Sequence, residues 1–250
     1  MSIINAFDPI SEEIISPKAA VEKIDDFPET VIAGFSRKFE ELFIKSFAPE
    51  QISTMVAGVV VPVYRFSYRG KTLAYYHTLL GGPASAALLE EIIAKGGKKI
   101  LFFGSCGSLD KSVTVGNIIL PTEAYRDEGT SYHYVPAGDF IEIKTAHRLA
   151  GIFDELGLSY RKVRTWTTDS FYRETRANLE DRRSRGCSVV EMECASVMAV
   201  GQFRGVEVSQ FLYTTDCLDG QTWDTGMLGK MPDDFRQRIL TIALETAIRL

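Results

Sequence analysis

The chain is poor in the residues that build metal centres and disulfide frameworks. Its 250 residues include four cysteines and three histidines. Cys106, Cys187, Cys194 and Cys217 form no C-x-x-C pair, and His77, His133 and His147 lie far apart. Neither a zinc site nor a disulfide framework is expected. There is no basic block, and the net charge of −5 comes from acids and bases interspersed along the chain. That pattern argues against nucleic acid and against an anionic membrane surface as partners. No apolar run approaches the ~20 residues of a membrane span. The start, MSIINAFDPISEE, lacks a basic region followed by a long apolar one, so no secretory signal is expected. No repeat period is present, and no G-x-G-x-x-G follows a strand, which removes the dinucleotide fingerprint. The expectation is a soluble protein of a reducing cytoplasm.

What is present is 45% apolar residues in short patterned runs, enough for a sizeable core. Residues 1–29, with Pro9, Pro17 and Pro28, read as an irregular arm. TVIAG (30–34) reads as a buried strand, and SRKFEELFIKSF (36–47) as a helix with Ser36 as its cap. STMVAGVVVPVYRFSY and KTLAYYHTLL are β-branched and aromatic, and YRGK between them reads as a hairpin turn. ASAALLEEIIAK is a helix stopped by Gly96-Gly97. KKILFFG and VGNIILP are strands, TAHRLAGIFDELG a helix, RKVRTWTT a strand and ETRANLEDRRSRG an exposed helix. SVVEM is a strand, ECASVMAVGQFRG a buried helix, VEVSQFLYTTD a strand and DDFRQRILTIALETAIRL a closing helix. Strands alternating with helices predict a three-layer α/β/α sandwich around a mixed central sheet, as one domain over 1–250. Ligands in such folds bind at the carboxyl ends of strands, so the polar residues there are the candidates.

KKILFFG ends in Gly104-Ser-Cys-Gly107, which reads either as a nest of backbone N–H groups for an anion, with the Ser105 hydroxyl, or as a plain tight turn. RKVRTWTT ends near Phe171 and Tyr172, aromatics suited to stacking on a flat ring or to the core. SVV ends in Glu191-Met192-Glu193, two acids inside an otherwise interior run. They are either a helix-start acid and a salt bridge, or a carboxylate accepting two hydroxyl hydrogen bonds, as from a sugar diol. SQFLYT ends in Thr215-Asp216, a turn former or a proton donor to a leaving group. Trp223, among Gly220, Gly226 and Gly229, reads as part of a lid.

Taken together, GGPAS (81–85), GSCGSL (104–109), VGNIILPTEAYRDEGTSYHY (115–134), TDSFY (168–172), VVEMECASVMAV (189–200) and TTD (214–216) resemble the nucleoside phosphorylase family. That group contains purine nucleoside phosphorylases, uridine phosphorylases and methylthioadenosine nucleosidases. Tyr125–Tyr134 leans towards uridine phosphorylase, GSCG and Asp216 towards the purine branch. The resemblance implies an α/β/α fold, no cofactor, and phosphate as co-substrate with a nucleoside. It also implies a homo-oligomer, a dimer, trimer or hexamer, whose subunits share active sites. It implies that Gly104 and Ser105 contact phosphate, that Glu191, Met192 and Glu193 line the ribose site with Glu193 on the diol, that Phe171 with Tyr172 meets the base, and that Asp216 with Glu193 carries catalysis.

The resemblance has gaps. The family's G-D-P-x-R phosphate loop is replaced by Ala33-Gly-Phe-Ser-Arg-Lys38. Phe102 stands where a second phosphate arginine is expected, and nothing near Ser53 matches a third. After Phe171-Tyr172, Arg173-Glu-Thr-Arg176 keeps at most the arginine of a uracil-reading pair. Either Arg37, Lys38, Arg65 or Arg126 rebuilds the phosphate site, or water is the nucleophile. The expected activity is phosphorolysis of a purine or pyrimidine ribonucleoside, with hydrolysis as the alternative and non-catalytic nucleoside binding as the second alternative.

Overall fold

The computed structural model describes residues 2–56 and 58–250. Ten strands form one sheet: β1 Thr30–Gly34, β2 Glu50–Val56, β3 Val60–Tyr68, β4 Lys71–His77, β5 Lys99–Ser108, β6 Ile118–Asp127, β7 Phe140–Glu142, β8 Tyr160–Thr168, β9 Cys187–Glu191 and β10 Glu207–Cys217. The helices are α1 Pro17–Ala20, α2 Arg37–Phe47, α3 Gly82–Lys95, α4 Ala146–Glu155, α5 Arg176–Ser184, α6 Cys194–Arg204 and α7 Asp233–Ala247.

The inner strands alternate in which face they bury, as a strand covered on both sides must. In β1, Val31 and Ala33 join one core and Ile32 the other; in β5, Ile100 and Phe102 join the first and Leu101 and Phe103 the second. Helices α3 and α6 supply Leu89, Ile92, Val197 and Val200 to the first core. Helices α2, α4 and α7 supply Phe39, Phe43, Phe153 and Ile239 to the second. Each such buried side chain contributes about 1.5–3 kcal/mol of hydrophobic stabilisation. Three layers result, with a mixed sheet in the middle.

The sheet is not an open row. β5 pairs with β10, β10 with β6, β6 with β8, β8 with β9, and β9 again with β5, so five strands close on themselves. Strands β1, β4, β3 and β2 extend from β5 as a wing, and β7 pairs with β6. The sequence reading missed this closure, because ring formation depends on pairings between distant segments. It also merged β2 and β3 into one run. The turn expected at 68–71 is present, with Arg69 and Gly70 at φ +48° and +77°, and Ser36 precedes α2 without a side-chain cap hydrogen bond.

One expectation is overturned. Gly104-Ser-Cys-Gly107 is neither a nest nor a tight turn; it is the continuing β5, laddered to β10 and then β9. The glycines serve close packing. A Cβ on Gly104 would lie 2.8 Å from the Phe35 ring, and one on Gly107 would lie 2.8 Å from Leu218 and 3.5 Å from an Asp216 carboxylate oxygen.

Near its end β10 carries a bulge. Thr214 is opposite Cys106 and Asp216 opposite Gly107, which leaves Thr215 without a partner position. A bulge re-aims the side chains that follow it. Here it lets consecutive residues, Thr215 and Asp216, face the same side.

Candidate active site

The carboxyl ends of β5, β9 and β10, together with the segment after β8, surround a cavity of about 640 Å³. Gly104, Ser105, Phe171, Tyr172, Glu191, Met192, Glu193 and Asp216 all line it. Residues 105 on β5, 193 between β9 and α6, and 216 on β10 therefore share one space.

The two acids of Glu191-Met-Glu193 have different surroundings. Glu191 Oε1 accepts the hydroxyls of Thr167 at 2.6 Å and Thr165 at 3.3 Å, and its Oε2 accepts the backbone N–H groups of Glu193 at 2.7 Å and Cys194 at 2.6 Å. Those N–H groups open α6, where free donors and the helix dipole favour an anion. The carboxylate holding two hydroxyls is thus realised within the protein, on threonines. Burial pushes the Glu191 carboxyl up, and these four hydrogen bonds oppose it. With its acceptor positions occupied, Glu191 is a structural acid at the cavity wall.

Glu193 is also buried, and its Oε1 accepts the Gly81 N–H at 2.6 Å. Gly81 has φ +92°, a conformation that glycine adopts without strain; this aims its N–H across to α6. Among the described residues no side chain donates to Glu193. Burial first, then the neighbouring Glu191 charge, push its carboxyl up. Hydrogen-bond donors on a ligand would reverse that push.

At the other end Asp216 accepts the Thr215 hydroxyl on Oδ1 at 3.0 Å and the Trp223 indole N–H on Oδ2 at 2.7 Å. Trp223 is brought there because the chain folds back after β10. Cys217 and Asp224 exchange backbone hydrogen bonds, and the Met227 N–H donates to the Thr215 carbonyl. Gly226, at φ +48°, passes so near Thr215 that a Cβ would lie 2.2 Å from its carbonyl oxygen. The expected lid segment is therefore tied to the end of β10.

Three lining residues were not candidates from sequence. Glu174 is half-buried, and among the described residues no hydrogen bond or ion pair reaches its carboxylate; burial and then the Asp216 charge push it up to about 7. Gln210, inside β10, is 1% exposed, and among the described residues neither its amide nitrogen nor its oxygen has a partner. Cys106 lies in the wall as a neutral thiol, pushed up by burial and then by the Glu191 and Asp216 charges. The sequence signal for Glu174 was its place just after Phe171-Tyr172; Gln210 had only its place in an otherwise apolar strand.

Cations are scarce. Arg176 is the one basic residue lining the cavity among the described residues, and its guanidinium donates to the Leu218 and Gly220 carbonyls. Of the residues expected to rebuild a phosphate site, Arg126 is buried elsewhere, bonded to Ser131 and to Pro136 and stacked on Tyr132. Arg65 donates to the Asp26 carbonyl and Arg37 lies by Glu40. Neither these residues nor Lys38 lines the cavity. No group of three or more metal-ligating side chains occurs among the described residues, and no helix there is long and apolar enough to cross a membrane.

A family model described as the phosphorylase superfamily matches residues 30–249. The chain is 27% identical over 188 residues to a guanosine phosphorylase of Halorubrum lacusprofundi, covering 74% of this chain and 76% of that protein. It is 30% identical over 156 residues to a uridine phosphorylase of Thermococcus kodakarensis, 56% of each chain. An uncharacterized protein of Acanthamoeba polyphaga mimivirus is 30% identical over 140 residues, and the match spans 54% of its length. Among solved structures, a purine nucleoside phosphorylase of Toxoplasma gondii shares the fold with a TM-score of 0.75 at 22% identity, covering 90% of this chain and 93% of that one.

Proposed function

Because the chain belongs to the phosphorylase superfamily, we propose that it cleaves the N-glycosidic bond of a purine ribonucleoside, with phosphate as acceptor and free base and ribose 1-phosphate as products. The observation that carries this reading is the shared cavity of Glu193 and Asp216, two buried acids at strand ends with different partners. The ribose diol would donate to Glu193, and Met192 would pack on the sugar. The base would lie against Phe171 and Tyr172, and Asp216 would face its ring nitrogen. Glycosidic cleavage passes through an oxocarbenium-like centre. A fixed carboxylate near that centre stabilises the developing charge, and a proton delivered to the base improves the leaving group. The nucleoside phosphorylases of this family use phosphate as co-substrate and need no cofactor.

Phosphate adds negative charge to a cavity already lined by Glu174, Glu191, Glu193 and Asp216. Two unit charges 4 Å apart repel by about 4 kcal/mol at an effective dielectric of 20. Arg176 is engaged elsewhere, so cations from a second copy of the chain would have to complete the site. The mouth suits such a cover: Leu80, Phe171, Tyr172 and Trp223 are 65%, 45%, 89% and 58% exposed. The same scarcity of cations favours a second reading, hydrolysis with water as nucleophile.

The test is release of free base from a nucleoside panel with and without phosphate. Phosphate-dependent release of a purine supports the proposal, phosphate-indifferent release supports hydrolysis, and binding without release removes both. Asp216→Asn should keep the fold and lower turnover about 10²-fold; undiminished turnover removes Asp216 from the chemistry.

A further inference from the structure

Gln210 is the most deeply placed polar side chain of the cavity wall, at 1% exposure, and both ends of its amide lack a partner among the described residues. Such an arrangement is costly, since a buried polar group without a hydrogen bond destabilises the fold. Leucine would fill the same strand position without that cost. The position is also remote from the base end. Five residues lie between Gln210 and Asp216, one of them the bulge residue Thr215, so the two stand five strand steps apart on β5, roughly 16–17 Å. Gln210 pairs with Phe102 of β5, beside the Phe35 and Phe102 rings, whose centroids are 6.0 Å apart. That end is neutral and largely apolar.

An amide offers one acceptor and a two-hydrogen donor. Its natural complement is a small group that both accepts and donates, and a neutral amide between aromatic rings offers no countercharge for a full dianion. Resting on the glycosidic-cleavage reading above, we propose that Gln210 holds the attacking oxygen nucleophile. Nε2–H donates to that oxygen and Oε1 accepts its O–H. Water and dihydrogen phosphate share this chemistry. The bond to C1′ forms from the held oxygen as the bond from C1′ to the base breaks; the leaving electron pair stays on the base, which takes up a proton, and the proton shed by the attacking oxygen passes to solvent and balances it.

The experiment uses Gln210→Leu and Gln210→Asn in the full chain, assayed for base release from a purine nucleoside with and without inorganic phosphate, with thermal melts alongside. The expected result for Gln210→Leu is a fall in kcat of about 10-fold or more, a nucleoside KM within about twofold of the parent, and a melting temperature equal to or above the parent's. Gln210→Asn, which keeps an amide, should fall between. If phosphate is the nucleophile, its KM also rises; if water is, the loss appears without phosphate. A side chain serving only the fold would instead lower the melting temperature and leave kcat in place, and that outcome overturns the proposal. Unchanged kcat in both phosphate conditions also overturns it while leaving the glycosidic-cleavage reading intact. No base release by the parent protein sinks both.

Discussion

Replacing Glu191 by alanine tests whether the first acid of the pair belongs to the fold. The substitution removes the acceptor of two backbone N–H groups, those of Glu193 and Cys194, and of two threonine hydroxyls. Hydroxyls rotate towards other acceptors; Thr167 already accepts the Ala195 N–H at 3.0 Å. The two amides are fixed by the helix they start. Leaving each without a partner costs about 1–3 kcal/mol, and release of the buried carboxylate offsets part of the sum, for a net loss of about 3 kcal/mol. For a chain of this size 1 kcal/mol moves the midpoint by roughly 2–4 °C, so Glu191→Ala should melt about 6–12 °C lower at fixed protein concentration. Glu193→Ala leaves only the Gly81 N–H without its acceptor, beside the open cavity, and relieves the repulsion from Glu191. It should stay within about 1 kcal/mol of the parent, while its nucleoside KM rises about tenfold or more. Calorimetry or denaturant titration reads the first effect and steady-state kinetics the second. A Glu191→Ala protein as stable as the parent, or a Glu193→Ala protein with the larger loss, refutes the division of roles.

Glu174→Gln should stabilise the protein at neutral and alkaline pH. The raised carboxyl contributes stability that is complete below the ordinary 4.5 and lost as pH rises through about 7. The gap corresponds to about 3 kcal/mol, reduced by partial exposure to roughly 1–2; a stability difference that shrinks from pH 5 to pH 8 contradicts this. Trp223→Phe should remove most of the fluorescence change on nucleoside binding, because Trp166, the other of the two tryptophans, is 1% exposed away from the cavity; an undiminished signal places the ligand elsewhere. Gly226→Ala should break the contact of its segment with Thr215 and cost at least about 1–2 kcal/mol, with new proteolytic cuts in 217–229; resistance equal to the parent's refutes the tie.

Strand and helix order was legible because hydrophobic period reports burial, and burial here is two-sided over β1, β5 and β10. The candidate residues were legible as polar groups at strand ends. Their separate duties were not. Glu191 and Glu193 differ in which donors reach them: besides the local N–H groups of Glu193 and Cys194, Glu191 takes Thr165 and Thr167 from β8, and Glu193 takes Gly81 before α3, and these last three come from distant segments. Gly104 and Gly107 read as turn residues because glycine marks both turns and close approaches; Phe35 and Leu218 decide the matter. Gln210 was invisible for the opposite reason, since one amide inside an apolar strand leaves its period unchanged.

The extra residue in β10 works as a local tether. Side chains on a strand point alternately to its two faces, so neighbours in sequence normally part company. Thr215 has no opposite number on β5 and lies beside Asp216 on the chamber wall, where its hydroxyl donates to the carboxylate next to it. Excising Thr215 would leave Asp216 facing Gly107 as before, stripped of its nearest donor. The bulge thus conditions the acid without being what aims it.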